Sequence, residues 1–176
     1  MGFTGAAVGA AMMGLKPVVE IMFIEFLGVA LDQVVTEGAK MRYLSHGTLA
    51  VPMTIRASVG SGLGFGCQHS QTLEHWFAST PGLKVLMPSD AQSAYSLLRA
   101  AIQDPDPVIV LEPRILYAER GEVDTTKIAK IGKASMRATG SDITIVALGH
   151  MVNIAEAAIK AAGVSADIVD LQTIIP

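Results

Sequence analysis

The sequence is poor in cysteine, and this excludes several kinds of site. Cys67 is the single cysteine among 176 residues, so an internal disulfide and a metal site built from several cysteines are both ruled out. A reducing compartment is therefore expected, either a cytoplasm or an organelle matrix. No partner for a nucleophilic triad accompanies Cys67, and we expect its thiol to be buried and inert.

Charge and long apolar runs are also scarce. Only 16% of the residues are charged, the net charge is -3, and the 13 lysines and arginines are scattered, so the chain is not expected to bind nucleic acid. The most apolar stretch, residues 17–31, is interrupted by Glu20 and Glu25, and no membrane helix is predicted. Hydrophobic residues nevertheless make up 51% of the chain, with a mean hydropathy of +0.45. This excess indicates that part of the surface meets a partner.

Apolar periodicity predicts alternating helices and strands along the first two thirds of the chain. The predicted helices span residues 2–14, 27–44, 73–78 and 89–102, and the last of them is capped by Ser89 with Asp90. The predicted strands span residues 17–22, 51–57, 84–88 and 108–111. Such alternation is typical of an α/β fold, a doubly wound parallel sheet with right-handed crossovers.

The sequence predicts a first domain over residues 1–120, a linker over 121–135 and the start of a second domain over 136–176. The linker follows from the charged, strand-poor composition near residues 117–133. Beyond it, one strand-helix-strand unit is predicted at residues 143–148, 151–162 and 166–171. Two strands are too few to be stable alone, so we expect a fuller domain to continue beyond this sequence.

The segment Gly60–Gln71 carries the clearest functional signal. Four glycines at alternate positions precede Gln-His-Ser-Gln, and glycine allows the backbone to approach a ligand closely. His69 can transfer protons near neutral pH. A functional loop is the favoured interpretation, and a glycine-rich turn with an exposed or turn-capping histidine is the alternative. His46, His75 and His150 lack zinc-site spacing and are expected at the surface or at an interface.

Several other side chains are ambiguous when they are taken alone. Glu20 and Glu25 lie in an apolar stretch and need partners; Glu20 is interpreted as a structural carboxylate paired with an arginine rather than a cofactor contact. Met22 and Phe26 also fit a core pattern. Aspartates beside prolines at the end of the predicted helix 89–102 are typical of turns.

Six segments together resemble one protein family: residues 2–12, the strand that ends at Glu20, and residues 30–34, 68–71, 81–85 and 104–112. The family is the beta subunit of the thiamine-diphosphate-dependent dehydrogenase component of 2-oxo acid dehydrogenase complexes, including acetoin dehydrogenase. The resemblance spans essentially the whole chain. Its most specific segments are residues 68–71 and 81–85.

This resemblance implies that residues 1–120 form a transketolase-like pyrimidine-binding domain, followed by the start of a C-terminal swivel domain. The family's catalytic glutamate precedes the position that matches Met1, so the resemblance implies a fragment that is incomplete at both ends and inactive alone. It also implies that thiamine diphosphate binds between subunits. The alpha subunit would hold magnesium and the diphosphate, and the beta subunit would hold the pyrimidine. A second beta subunit and a lipoyl acyltransferase are the other implied partners.

The resemblance also assigns roles to individual residues. His69 matches the active-site histidine, a proton donor or electrostatic guide for acyl transfer. Met22, Phe26 and Gln68 match cofactor-binding positions, although a shift of one residue would nominate Phe23 or Ile24 instead. A potassium site seen in some family members corresponds to the carboxylates and main-chain carbonyls of Met53, Ala101, Ile102, Asp104 and Asp106, with a proline-rich helix stop as the equal alternative.

The expected function is oxidative decarboxylation of a pyruvate-type 2-oxo acid, with acyl transfer to a lipoyl group. The alternative within the family is an acetoin dehydrogenase beta subunit, which residues 121–123 and 146–152 resemble. A non-catalytic, truncated interaction module is the alternative from another class. A transketolase-like or deoxyxylulose-phosphate synthase enzyme is more distant, because its sugar-phosphate ligands are not evident.

Overall fold

The computed structural model describes residues 1–60 and 64–175, which form two β-sheets flanked by helices. The α-helices are α1 (Gly2–Met12), α2 (Met41–Leu44), α3 (Glu74–Ala78), α4 (Ala91–Gln103) and α5 (Met151–Ala162). The strands are β1 (Val18–Ile21), β2 (Thr54–Val59), β3 (Lys84–Leu86), β4 (Val108–Pro113), β5 (Ser135–Ala138), β6 (Ile143–Ala147), β7 (Ala166–Asp170) and β8 (Thr173–Ile175). Short 3-10 helices span Ile24–Ala30 and Arg114–Leu116, and a π-helix spans Asp32–Gly38.

The first sheet has the strand order β1-β2-β4-β3-β8, and its first four strands are parallel. Successive residues of β4 belong to different cores. Ile109 and Leu111 belong to the larger core, which also contains buried residues of α1. Val108 and Val110 pack in a second core with Leu97 of α4. A strand with both faces buried needs cover on both sides, which confirms the layered α/β fold predicted from the sequence.

The long helix predicted at residues 27–44 is instead divided into three helical pieces that begin at Ile24. The reason lies in the spacing of the buried positions. Ile24, Leu27 and Ala30 recur every three residues, which matches a 3-10 helix, whereas Val34 and Gly38 follow at intervals of four. A regular α-helix with one constant period would not keep all five positions on one buried face.

Helix α4 begins as the sequence predicts. The Asp90 carboxylate accepts a 2.7 Å hydrogen bond from the main-chain amide of Ser93, and the Ser93 hydroxyl accepts one from the amide of Asp90 at 3.0 Å. This reciprocal cap satisfies donors that the first helical turn leaves free. The helix therefore has a fixed start directly after β3.

The second sheet has three strands, in the order β5-β7-β6, and not the two that the sequence predicted. Strand β5 is antiparallel to β7 and lies at the end of the predicted linker, where four residues give too short a pattern to recognise. The chain then turns at Gln172, whose φ is 56°, and β8 pairs antiparallel with β3 of the first sheet. The second unit is thus joined to the first by main-chain hydrogen bonds.

Within the described ranges, each helix is too short or too polar to cross a bilayer.

Candidate functional site

The carboxyl ends of β1, β2 and β4 lie side by side because these strands are parallel neighbours. Ile21, Ala57 and Leu111 stand opposite one another near the ends of the three strands. Side chains that follow these positions meet at one edge of the sheet, where parallel α/β folds commonly bind ligands. The loop that contains His69 lies over this edge.

His69 is surrounded by aromatic rings. Its imidazole stacks on Phe23 with ring centroids 4.5 Å apart and an angle of 24°, and it meets Phe26 edge-on at 5.3 Å. Its Nδ1 lies 2.5 Å from the carbonyl oxygen of Gln68. Since a carbonyl only accepts, this contact assigns the proton to Nδ1 and leaves Nε2 available for proton transfer.

Arg114 is the residue of this site that sequence analysis missed. Its guanidinium lies 4.2 Å from the ring centroid of Phe23 and 4.8 Å from that of Phe65. It donates to the main-chain carbonyl of His69 at 3.2 Å and to the hydroxyl of Ser58 at 2.5 Å. The Ser58 hydroxyl in turn donates to the carbonyl of Met22. The residues around His69 contain no pattern that predicts a contact with an arginine 45 residues further along the chain.

Residues 60–71, which we call the histidine loop, are fixed at their far end by Glu25. The Glu25 carboxylate accepts a 2.7 Å hydrogen bond from the main-chain amide of Gln71, and the carbonyl of Gln71 accepts from Gly60 at 3.0 Å. Gly64 and Gly66 have φ values of 73° and 74°, a region that other residues rarely adopt, so the turn needs glycine at both positions. Residues 61–63 of the predicted glycine loop lie outside the described residues.

The predicted cofactor contacts are exposed beside His69. Met22 is 65% exposed and Phe26 is 44% exposed, and Gln68 is exposed as well. An exposed thioether and an exposed aromatic ring can pack on a flat heterocycle, so these side chains fit the pyrimidine that the sequence led us to expect. Phe23 joins them because its ring touches His69, whereas Ile24 is fully buried. Their cofactor role stays a prediction.

A cluster of charged groups lies next to this site. Arg56 forms a two-pronged ion pair with Glu112 at 2.7 and 2.9 Å and also contacts Glu20 at 3.3 Å. The arginine partner expected for Glu20 is therefore present. Tyr117 donates to Glu112 at 3.0 Å, and partial burial of the phenol together with this carboxylate raises the pKa of Tyr117 to about 12. The same carboxylate contact raises the pKa of Arg56.

The residues of the predicted potassium site lie at the opposite edge of the sheet. The ammonium of Lys84 is 2.7 Å and 2.9 Å from the two carboxylate oxygens of Asp104 and 3.4 Å from Asp106, which also pairs with Arg42. The carbonyl of Met53 accepts from Val108 at 3.0 Å.

Cationic side chains thus occupy the positions that an ion would take at these carboxylates, and the side-chain donors do not fit potassium well. The carbonyl of Ala101 accepts a 3.2 Å hydrogen bond from the main-chain amide of Asp104, and that of Ile102 lies in the last turn of α4, where carbonyls lack partners one turn further along the helix. In the described residues, His, Cys, Asp and Glu do not gather in groups of three or more that could hold a metal. The potassium site stays a prediction.

The prediction of a buried thiol was wrong, because Cys67 is exposed. It lies in the turn between Gly66 and His69, outside the packed layers, so its apolar character does not bury it. His46 and His75 are exposed, as expected.

Comparison with known proteins gives two matching families. Residues 1–120 match "Transketolase, pyrimidine binding domain", and residues 132–176 match "Transketolase, C-terminal domain". The mitochondrial pyruvate dehydrogenase E1 component subunit beta-1 of Arabidopsis thaliana is 46% identical over 99% of this chain and 50% of its own length. The acetoin:2,6-dichlorophenolindophenol oxidoreductase subunit beta of Bacillus subtilis (strain 168) is 42% identical over 99% of this chain and 52% of its own.

A solved structure described as a split gene transketolase, inactive beta4 tetramer, superposes with a TM-score of 0.77. The superposed region covers 97% of this chain and 54% of the transketolase chain, and its 23% sequence identity supports a likeness of fold alone. The chain spans about half the length of the curated relatives it matches.

Proposed function

The chain belongs to the transketolase pyrimidine-binding domain family, and from this we propose that the surface around His69 is the beta-subunit half of a thiamine diphosphate site. The observation that carries the proposal is the stack of His69 on Phe23 at 4.5 Å, next to the exposed ring of Phe26 and the exposed side chain of Met22. Exposed aromatic and thioether groups around a titratable ring need a cover. A second polypeptide, the alpha subunit, would supply it together with magnesium and the diphosphate contacts.

Each of the side chains around His69 has a definite task in this proposal. When bound, thiamine diphosphate supplies an electron sink for the carbon-carbon bond that breaks. Phe26 and Met22 would orient the flat pyrimidine ring and exclude water from it. His69 holds or moves a proton at Nε2, since its Nδ1 is committed to the Gln68 carbonyl. The exposed side chain of Gln68 would lie beside the cofactor.

The reaction we propose is the oxidative decarboxylation of a pyruvate-type 2-oxo acid, with acyl transfer to a lipoyl group. The 46% identity to the Arabidopsis thaliana subunit over nearly the whole chain supports it. A second beta subunit and a lipoyl acyltransferase would complete the assembly. Relatives include a mitochondrial and a bacterial subunit, so we propose that the assembly works in a mitochondrial matrix or in a bacterial cytoplasm.

Cleavage of acetoin is the second candidate. The Bacillus subtilis relative supports it at 42% identity, close to the value for the pyruvate enzyme. The two substrates differ in charge, because pyruvate carries a carboxylate that leaves as carbon dioxide, whereas acetoin is a neutral hydroxy ketone. The potassium site is not part of either proposal.

The test is an assembly of the full-length subunit that carries this sequence with its alpha subunit, thiamine diphosphate and magnesium. Turnover of pyruvate and of acetoin is measured with an artificial electron acceptor. We expect pyruvate to be the better substrate by kcat/KM. Preferred turnover of acetoin would replace the first candidate by the second, and turnover of neither substrate would refute both.

A further inference from the structure

Residues 64–73, which include His69, contain neither helix nor strand, so contacts with other elements hold this segment in place. Its end is fixed through Gln71, which bonds to Glu25 and Gly60. At His69 itself, the hydrogen bond from another element to the main chain comes from Arg114, at 3.2 Å. Among the described residues this is the contact that connects the histidine backbone to the sheet.

Arg114 is well placed for such a task because it follows β4 directly. Its second hydrogen bond, to Ser58, ties it to the neighbouring strand β2. Its flat guanidinium also lies over Phe23, which follows β1 and on which the His69 ring stacks. Arg114 therefore contacts the ends of three adjacent strands as well as the histidine.

The charge of Arg114 is not used in an ion pair within the described residues, in contrast to the neighbouring Arg56. A guanidinium offers several N–H donors in one plane and two flat faces, so it can donate to Ser58 and His69 while it covers the rings of Phe23 and Phe65. Lysine has a compact ammonium on a flexible stem and cannot make all four contacts at once.

We propose that Arg114 is a positioning residue that fixes the main chain and the ring of His69 in the geometry that proton transfer requires. This inference rests on the proposed function for its catalytic consequence. The structural part, that Arg114 orders the histidine loop, is independent of any reaction.

The structural part can be measured in the full-length subunit that carries this sequence, with any cysteine outside residues 1–176 replaced by serine. Cys67 is the single cysteine of residues 1–176, is exposed and lies two residues before His69. A nitroxide attached to Cys67 reports the mobility of the loop by electron paramagnetic resonance. We expect the wild-type spectrum to contain an immobilised component and Arg114→Lys to lose it.

The matched control is Arg99→Lys. Arg99 also lies over an aromatic ring, that of Tyr95 at 5.7 Å, and donates to its hydroxyl at 3.1 Å, but it is exposed on α4. The control should keep the immobilised component. An unchanged spectrum in a folded Arg114→Lys protein would overturn the proposal. If that variant does not fold, Ser58→Ala is used instead, because it removes the other hydrogen bond of the guanidinium. Loss of the immobilised component in Ser58→Ala would support the proposal, and an unchanged spectrum would overturn it.

The catalytic part is measured in the assembled enzyme by a double-mutant cycle. We expect Arg114→Lys to lower kcat about ten- to hundredfold, because small misplacements of a reacting group have effects of this size. In a His69→Ala background the same substitution should have little further effect, since its route of action is already gone. Equal losses in both backgrounds would show that Arg114 does not act through His69.

The two measurements separate the two hypotheses. An assembly without any turnover refutes the proposed function, while the mobility of the Cys67 label still decides whether Arg114 orders the loop.

Discussion

The hydroxyl of Ser89 donates a 2.6 Å hydrogen bond to Oδ2 of Asp170, and both residues are completely buried. This contact joins the end of β7 to the segment that precedes α4, so it connects the second unit to the first. Gln172 donates to the same oxygen at 3.2 Å, and Oδ1 has no hydrogen-bond partner among the described residues. A buried carboxylate with one unsatisfied oxygen disfavours its own ionisation.

Asp170 should make the protein less stable as the pH rises. Burial raises its pKa above the ordinary 3.8, against the opposing hydrogen bonds from Ser89 and Gln172. The folded state therefore holds this proton more tightly than the unfolded state, and its contribution is lost as the pH rises from about 3.8 through the raised value. We expect Asp170→Asn to remove this fall, measured by urea unfolding from pH 4 to 7. Equal slopes in both proteins would contradict the prediction, and Asp32→Asn controls for loss of an exposed carboxylate.

Gly82 should not tolerate alanine. Its φ is 96°, and an added Cβ would lie 2.0 Å from the carbonyl oxygen of Ala39. Gly47 has a similar φ of 82° but open space around it. We expect Gly47→Ala to lower the free energy of unfolding by about 1–2 kcal/mol through backbone strain alone. Gly82→Ala should cost about 1–3 kcal/mol more, because the neighbouring backbone must shift. Chemical denaturation compares the two, and equal losses would rule out the steric explanation.

Phe26 and Phe77 should respond in opposite ways to truncation. Phe77 is fully buried, so Phe77→Ala should lower the free energy of unfolding by about 3–5 kcal/mol. Phe26 is 44% exposed, and its loss should matter much less for stability. In the assembled enzyme, Phe26→Ala should weaken thiamine diphosphate binding by about tenfold, through lost stacking. Thermal unfolding and cofactor titration measure the two effects, and unchanged cofactor affinity would remove Phe26 from the site.

His69→Ala should leave cofactor binding intact and slow acyl transfer. Proton transfer by a positioned side chain contributes about 10²–10⁴-fold to a rate, which sets the expected loss. Transfer to the lipoyl group is followed in the assembled enzyme, and thiamine diphosphate affinity is measured in parallel. His75→Ala, an exposed histidine on α3, is the control. Unaltered transfer in His69→Ala would remove the role assigned to this residue.

Tyr117 should titrate at a higher pH than an ordinary tyrosine. Its pKa of about 12 reflects partial burial and the carboxylate of Glu112, to which its hydroxyl donates. We expect Glu112→Gln to move the titration toward the ordinary value of 10.0, as seen by ultraviolet absorption of the phenolate. Since the folded-state pKa is raised, stability should fall as the pH rises from about 10 in the wild type and less so in the variant. Identical titration curves would show that Glu112 does not influence the phenol.

Local patterns predicted the elements whose spacing is regular. The strand at β4, the cap of α4 at Asp90 and the bounds of α5 were all recognisable, because apolar alternation and capping residues act over a few neighbours. Strand β8 was missed, because Thr173–Ile175 is too short for a pattern and becomes a strand only by pairing with β3. Cys67 was misplaced for a similar reason, since its exposure depends on which layer covers the turn.

The sequence by itself determined the alternation of helices and strands, the glycine-containing turn and the presence of His69 at its end, because these depend on hydrophobic period and on the chemistry of adjacent residues. The tertiary structure decided what surrounds His69. Phe23, Ser58 and Arg114 are far apart along the chain and meet only because β1, β2 and β4 are parallel neighbours with their carboxyl ends at one edge. Strand order is set by packing over the whole sheet, so no local pattern contains it.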